Sequence, residues 1–212
     1  MEQQKGGRLY IIKICFLILF CYLYSSCTIR QSNYKCIMPK GAELKAGDVV
    51  FRRGGGFTSQ VVLAADRKGN YSHTGIVVEA EGKKMIVHAV PGEPEFEGDV
   101  DRVKIDTPER FFSSEYASIG EICRPSDSLA ARVAAAEAYR ICKKNVLFDH
   151  EYDDRDTTKM YCTELVVFAF KKAGVDLVGI ERHTVRLPIL KAECIFPSDI
   201  HESPYLETVL TF

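Results

Sequence analysis

Several features are scarce or missing in this 212-residue sequence. It contains no tryptophan, and no sign of charge dominates, because 28 Lys and Arg residues face 29 Asp and Glu residues. A nucleic-acid-binding protein or a polybasic membrane-surface protein would carry clustered positive charge, so both classes are excluded. Hydrophobic residues make up 46% and charged residues 27% of the chain. This globular composition excludes a largely disordered protein.

Common motifs for metal and phosphate binding are also missing. None of the eight cysteines joins another in a Cys-X-X-Cys motif, which argues against a zinc ribbon. No Gly-Lys-Ser or Gly-Lys-Thr follows the glycines at 54–56, so these glycines do not form a P-loop. The cysteines beyond residue 27 are odd in number, which leaves room for a free thiol with a chemical task. They are Cys36, Cys123, Cys142, Cys162 and Cys194.

Long apolar runs are missing, because the longest one covers only residues 14–23. A run of about ten residues is too short for a bilayer span of roughly 20. Basic residues precede it, and Ser25-Ser26-Cys27 follows, an order typical of a secretory signal and similar to a bacterial lipoprotein signal. We therefore expect residues 1–27 to be a signal peptide ending at a lipidated Cys27, and residues 28–40 to be a tether. An uncleaved signal anchor and plain cleavage are the alternatives.

From residue 47 onward the pattern predicts an α+β fold. Runs rich in β-branched residues predict strands at 48–52, 74–78, 85–90, 100–105 and 117–124. Helices are predicted over 107–112, 128–143 and 162–173, and 59–65 is a short helix or strand. The segment 145–159 reads as a charged loop. We expect antiparallel strands, with the helices packed on one side, in a single domain over 41–212.

Two histidines fall on the two arms of a predicted hairpin. If Glu81-Gly82 forms its tip, Gly75 pairs with His88, and the side-chain period of two places His73 on the same face. Because Gly75 has no side chain, the two imidazoles can approach diagonally. A shift of one residue in the register would separate them, and they would then be two unrelated polar positions.

Cys162 opens an amphipathic helix, and this position distinguishes it from the other cysteines. A thiol in the first turn meets free backbone N–H groups and the positive end of the helix dipole. Both favour the thiolate, so we expect a pKa below the ordinary value of about 8.5. The same N–H groups can hold a developing oxyanion. A small buried hydrophobic side chain is the alternative role.

Three blocks of sequence carry a family resemblance. They are Gly-Asp-Val-Val-Phe at 47–51, Tyr-Ser-His-Thr-Gly-Ile-Val at 71–77 and Met-Tyr-Cys-Thr-Glu-Leu-Val at 160–166. Together they resemble the YiiX/YebB-like cysteine hydrolases, the permuted branch of the NlpC-type papain-like superfamily, related to the lecithin:retinol acyltransferase group. The resemblance extends to the segment 196–200. It implies a permuted papain-like fold, in which an antiparallel sheet or half-barrel packs against helices that include the nucleophile helix.

The resemblance also implies roles for individual residues. In that family order Cys162 is the nucleophile, His73 the base and His88 the orienting residue, at a position where the family often has Glu. Ser72 and Tyr161 flank these residues within the matching blocks, and we expect them to contact substrate. Gly55, in the glycine run at 54–56, is either a substrate contact at the lip of a cleft or part of a flexible turn.

The expected function is that of an envelope-tethered cysteine hydrolase that cleaves an amide or ester and needs no cofactor or metal. The related group implies two substrate classes, which are cell-wall peptides and acyl lipids or N-acyl amines. The expected location is the bacterial cell envelope, outside the cytoplasm, with the membrane reached through the lipid anchor and no nucleic-acid partner. Two alternatives stay open: a non-catalytic binding lipoprotein on the same fold, and a zinc site formed by Cys162, His73 and His88.

Overall fold

A computed structural model describes residues 35–180, 182–187 and 190–212. The expected signal peptide, the lipidated Cys27 and the first part of the expected tether lie outside these residues. Within them, no helix combines the length and the apolar character needed to cross a membrane.

Ten strands and five helices make up the described residues. The strands are β1 Val49–Arg53, β2 His73–Ala80, β3 Lys83–Val90, β4 Arg102–Asp106, β5 Ile119–Pro125, β6 Leu147–Phe148, β7 Lys159–Met160, β8 His183–Leu187, β9 Leu190–Cys194 and β10 Leu206–Thr211. The helices are α1 Phe57–Ala65, α2 Pro108–Phe111, α3 Ser128–Lys143, α4 Cys162–Lys172 and α5 Pro197–His201.

Eight strands form one sheet in the order β10-β5-β1-β2-β3-β4-β6-β7, and β8 pairs with β9 separately. All neighbours in the large sheet are antiparallel except β6 and β7. The α+β class expected from the sequence is therefore confirmed. The strands β3 and β4 lie beside β2, so three neighbouring strands can contribute side chains to one site.

The two faces of the sheet pack against different elements. Val49, Phe51 and Ile76 face a large core that includes buried residues of α3 and α4. Val50 and Val77, their neighbours in sequence, face a smaller core with Phe111, next to which residues 36–38 pack. The two long helices lie on one side, as expected, but the short α2 covers the opposite face.

Helix α3 begins at the Asp127 cap, whose carboxylate accepts N–H bonds from Leu129 at 2.8 Å and Ala130 at 3.1 Å. These bonds satisfy two of the backbone N–H groups that a helix start leaves without partners. Its buried face is built mostly from alanines, so the helix approaches the sheet closely. At Gly47, a Cβ would lie 2.3 Å from the carbonyl oxygen of Ala131.

Two sequence expectations differ from the structure. Residues 35–40, expected as part of a tether, pack against the domain: the Ile37 N–H donates to the Phe112 carbonyl at 2.9 Å, and Cys36 forms a bridge with Ser113. The expected loop at 145–159 contributes the short β6 and β7 to the sheet edge. Local sequence did not indicate either feature, because residues 35–40 and β6 reach the domain through partners more than 40 residues away, and β7 then pairs with β6.

Candidate functional site

The hairpin of β2 and β3 has the register that the sequence predicted. Val77 pairs with Ile86 and Ile76 with Val87, which continues to Gly75 opposite His88. The turn residues Glu81 and Gly82 have φ values of 51° and 72°, as a type I′ turn requires. This turn fixes the register and therefore the face on which the histidines lie.

His73 and His88 meet on that face. The Nε2 atom of His73 lies 2.9 Å from Nδ1 of His88, and the two rings have their centroids 5.1 Å apart. A Cβ at position 75 would lie 3.1 Å from Cβ of His88 and 2.9 Å from the Val87 carbonyl oxygen. Glycine at 75 therefore allows the diagonal approach. Phe111 packs against both imidazoles.

Sequence reasoning missed the third member of this chain, Asp106. Its Oδ2 atom lies 3.0 Å from Nε2 of His88. Strand β4 pairs His88 with Lys104, so Asp106, two residues further, lies on the same face. Extending the register argument by one strand would have found it. The hydrogen-bonded chain runs Asp106–His88–His73, so His88 has a carboxylate behind it.

The pKa values of the three residues determine which atoms carry protons along the hydrogen-bonded chain Asp106–His88–His73. Burial raises the pKa of Asp106, but the His88 bond and the charges of Lys104 and Arg110 lower it more, to about 2. Burial lowers the pKa of His88, against the opposing effect of Asp106. Burial, together with the charge of Arg52, also lowers the pKa of His73 well below its usual value.

These states determine the tautomers. Ionised Asp106 can only accept, so neutral His88 donates from Nε2 and must accept at Nδ1. His73 then donates from Nε2, which leaves its Nδ1 without a proton. A neutral imidazole with a free Nδ1 is a competent general base.

The thiol of Cys162 lies at the N-terminus of α4, as the sequence predicted. The backbone N–H groups of Thr74 and Thr163 point toward the sulfur closely enough to lower the pKa of the thiol. Thr74 follows His73 directly, so the sulfur lies against the peptide that joins the candidate base to the next residue. The pairing of β2 with β3 runs from Ala80 back to Ile76. Thr74 lies beyond it, toward the start of β2.

The resting state of the thiol differs from the sequence expectation. Burial raises the pKa of Cys162 to about 11, and the backbone N–H groups and Arg52 offset only part of this effect. The expectation of a lowered pKa counted the helix start but not the desolvation. A raised thiol pKa and a lowered His73 pKa together favour a neutral thiol–imidazole pair over a thiolate–imidazolium pair.

A buried ion pair that the sequence did not indicate borders the same site. Arg52 lies opposite His73 on β1 and forms an ion pair with Glu93. Its guanidinium also donates to the Phe111 carbonyl at 2.8 Å and stacks on the Phe111 ring. Among the residues that the structure describes, the Nε atom of Arg52 and the Oε2 atom of Glu93 are buried without hydrogen-bond partners. The ion pair therefore keeps unused hydrogen-bonding capacity beside the site.

Two cavities adjoin Ser72. One, of about 50 Å³, is almost entirely apolar and is lined by Cys162, Tyr161, Val62 and Phe196 among others. The other, of about 410 Å³, is more polar and is lined by His73, Arg52, Glu93 and Gly55 among others. Ser72 and Thr58 line both. The three expected substrate contacts, Ser72, Tyr161 and Gly55, thus all line one cavity or both.

The remaining histidines lie elsewhere. His150, within the acidic loop, is exposed and pairs with Asp101 at 3.2 Å. His183 pairs with Asp199 at 2.7 Å, and His201 with Glu121 at 2.9 Å.

The alternative zinc site at Cys162, His73 and His88 does not fit the donor geometry. His88 uses Nδ1 toward His73 and Nε2 toward Asp106, so neither ring nitrogen is free for a metal. A zinc ion needs a deprotonated thiolate and a free imidazole nitrogen from each histidine.

Comparison with known proteins finds similarity at the level of structure. No family model matches the chain, and no curated protein matches it. Among solved structures, the chain is similar to the crystal structure of the metalloprotein YiiX from Escherichia coli O157:H7, assigned to DUF1105. The TM-score is 0.64 at 17% sequence identity, over 81% of this chain and 99% of the other. The chain therefore shares the YiiX/YebB-like fold.

Proposed function

We propose that this chain is a thiol hydrolase of the permuted papain-like class that cleaves an amide or ester. The observation that carries the proposal is the hydrogen-bonded chain Asp106–His88–His73. It ends at the residue directly before Thr74, whose backbone N–H acts on the Cys162 thiol at the start of α4. A nucleophile, a base and groups that orient the base are the parts that covalent acyl transfer requires. The family resemblance of the three sequence blocks supports the same class.

The neutral resting pair suggests how the first step proceeds. Nδ1 of His73 takes the proton of the Cys162 thiol as the sulfur attacks the substrate carbonyl carbon. The carbonyl oxygen gains the electron pair and accepts hydrogen bonds from backbone N–H groups at the helix start. His88 and Asp106 hold the His73 ring and stabilise the imidazolium that forms.

The second half of the reaction returns the enzyme to its starting state. His73 gives its proton to the leaving amine or alcohol, and the carbon–heteroatom bond breaks to leave a thioester on Cys162. Water then loses a proton to His73 and attacks the thioester. The carbon–sulfur bond breaks, and the Cys162 sulfur takes the proton back from His73. The products are a carboxylic acid and the free thiol.

The cavities suggest the polarity of the substrate. The apolar cavity contains the nucleophile, whereas the polar cavity contains the base and the Arg52–Glu93 pair. We therefore place an apolar group on the acyl side of the scissile bond and a polar group on the leaving side. An N-acyl amine and a cell-wall peptide with a small apolar side chain both meet this description, and the assay must include both.

The same geometry offers one second candidate, a non-catalytic binding protein on this fold. The observation that favours it is the raised pKa of the Cys162 thiol, since an unreactive thiol would be compatible with a binding cavity. Under this alternative, the two cavities hold ligand without turnover.

The deciding experiment compares the full chain with its Cys162→Ala variant. Both are incubated with peptidoglycan fragments and with a panel of N-acyl amines, and mass spectrometry identifies any bond that is cut. We expect cleavage by the wild type and none by Cys162→Ala, with Cys142→Ala, another cysteine to alanine change, retaining activity. An activated acyl ester should leave an acyl group on Cys162. Equal cleavage by both proteins, or no acylation of Cys162, would contradict the proposal.

We place the protein in the bacterial envelope as a lipoprotein, on the basis of the signal-like order of residues 1–27. Two or more acyl chains on Cys27 would give stable anchoring. The Cys27→Ala variant should lack lipid and leave the membrane on mild washing. If it still fractionates as an integral membrane protein, an uncleaved anchor explains the segment.

A further inference from the structure

A second cluster of chemistry-bearing side chains lies away from the residues of the candidate active site. Glu121 and Cys123 are two residues apart on β5, so they share one face of the strand, and His201 reaches them from α5. One ligand atom from each lies within 4.8 Å of the other two. None of these three residues has a part in the proposed hydrolysis.

The distances within this cluster are close to those of a metal site. Oε1 of Glu121 lies 3.3 Å from Sγ of Cys123 and 2.9 Å from Nε2 of His201. In a tetrahedral zinc site with bonds of about 2.0 to 2.3 Å, neighbouring ligand atoms are separated by roughly 3.3 to 3.7 Å. These two pairs of atoms need to move apart by only a few tenths of an ångström, and Sγ and Nε2 lie within 4.8 Å of each other.

The fourth side of the cluster is also polar. Thr208 on β10 pairs with Cys123 across the sheet, and its hydroxyl lies 2.6 Å from Oε1 of Glu121 and 3.9 Å from Sγ of Cys123. A hydroxyl here can hold a water molecule as the fourth ligand. The other carboxylate oxygen, Oε2, accepts from Tyr71 and from Thr211. These two donors fix the carboxylate from behind, as outer-shell partners of metal sites do.

The charges of the three ligands also suit a zinc ion. Glu121 and Cys123 are 4% and 1% exposed, so both ligands lie deep in the protein, where an uncompensated charge is costly. With Zn²⁺, one carboxylate, one thiolate and one neutral imidazole, the site has no net charge. Binding releases the Cys123 thiol proton to solvent and forms a sulfur–zinc bond in its place, which balances the exchange.

We propose that Glu121, Cys123 and His201 form a zinc site that is separate from the Cys162 centre. Three protein ligands of the carboxylate, thiolate and imidazole types are a donor set that zinc uses. The site joins α5 to the sheet. Through Tyr71 it also fixes the start of the segment that leads to His73, so its role is structural.

The test measures metal content of the full chain in mild detergent. The protein is loaded with zinc, freed of excess ion by gel filtration and analysed by inductively coupled plasma mass spectrometry. We expect about one zinc per chain, with the affinity reduced by more than about ten-fold in Cys123→Ser and in His201→Gln. Cys142→Ser, the same change at another buried cysteine, should keep the ion.

Further readouts separate this site from others. Cobalt added to the metal-free wild type should give thiolate-to-cobalt absorption, and a chelator should lower the melting temperature of the wild type but not of His201→Gln. His201 is partly exposed, so its variant keeps the test valid if Cys123→Ser fails to fold. Lack of stoichiometric zinc in the wild type would overturn the proposal. Zinc that is lost in Cys162→Ser but kept in His201→Gln would overturn it too. Hydrolysis by a metal-free wild type would leave the proposed function standing in either case.

Discussion

Two buried carboxylic acids border the candidate active site in opposite states. Asp106 and Glu164 are each 3% exposed, but the pKa of Asp106 is about 2 and that of Glu164 about 9. Burial raises both values. At Asp106, the bond from His88 and the charge of Lys104 outweigh it. Within the described ranges, Glu164 accepts a hydrogen bond from the Tyr161 N–H at 3.3 Å, and its Oε1 atom has no hydrogen-bond partner.

The comparison teaches that partners, rather than depth, decide the charge of a buried acid. The charge state of each acid has a chemical consequence at its own position. Ionised Asp106 must accept a hydrogen bond from His88, and this determines the tautomers of both histidines. Protonated Glu164, in the first turn of the nucleophile helix, places no negative charge beside the thiol. The N–H groups of that turn therefore remain available to Cys162 and to an oxyanion.

Replacing Asp106 by Asn should have the largest effect. An amide can donate to Nε2 of His88, so His88 would then donate from Nδ1 and His73 would carry its proton on Nδ1. The base would be blocked with its geometry intact. We expect kcat/KM to fall by up to about 10⁴, the loss in kcat known for a triad aspartate changed to Asn. Steady-state kinetics on the substrate identified above measures this.

Asp101→Asn is the matched control, because Asp101 also pairs with a histidine, the exposed His150 at 3.2 Å. Its kcat/KM should stay within about three-fold of the wild type, since surface pairs contribute little. Similar losses in the two variants would show that the Asp106 effect is not specific to the histidine chain.

The state of the thiol gives the next largest effect. With the pKa of Cys162 raised to about 11 and that of His73 lowered, little thiolate exists at pH 7. We expect iodoacetamide to modify Cys162 at least about ten-fold more slowly at pH 7 than a free cysteine, with a midpoint above pH 9. Peptide mapping by mass spectrometry follows this cysteine alone. A midpoint below pH 7 would instead indicate a resting thiolate–imidazolium pair.

Local signals in the sequence were sufficient for much of the fold and part of the site. The Glu81-Gly82 turn and the period of two placed His73 beside His88, and the amphipathic pattern from residue 162 placed Cys162 at a helix start. Helix α3 has the predicted bounds, 128–143. These features depend on a few neighbouring residues, and so the sequence specifies them directly.

The rest depends on contacts between distant segments. Asp106 joins the site through a third strand, and Glu93 reaches Arg52 from a loop 41 residues away. The sequence also implied a low thiol pKa, because helix position is visible in sequence whereas desolvation is not. Strands β8, β9 and β10 and helix α5 were not predicted, since their short polar-rich segments carry weak periodic signals.

Changing Glu164 to Gln tests the comparison between Glu164 and Asp106. Of the changes considered, we expect it to affect turnover least. A buried acid whose pKa is raised from 4.5 to about 9 supports the fold fully below pH 4.5. That support is lost as pH rises toward 9, because the native state must hold a proton that the unfolded chain releases. Gln does not titrate, and its amide oxygen can still accept the Tyr161 N–H. We therefore expect Glu164→Gln to match the wild type near pH 4.5 and to exceed its unfolding free energy by about 4 to 5 kcal/mol at pH 8. Urea denaturation across this pH range measures the difference, with the exposed Glu207→Gln as control. A constant difference between wild type and Glu164→Gln would mean that Glu164 is ionised in the native protein, and the contrast with Asp106 would then disappear.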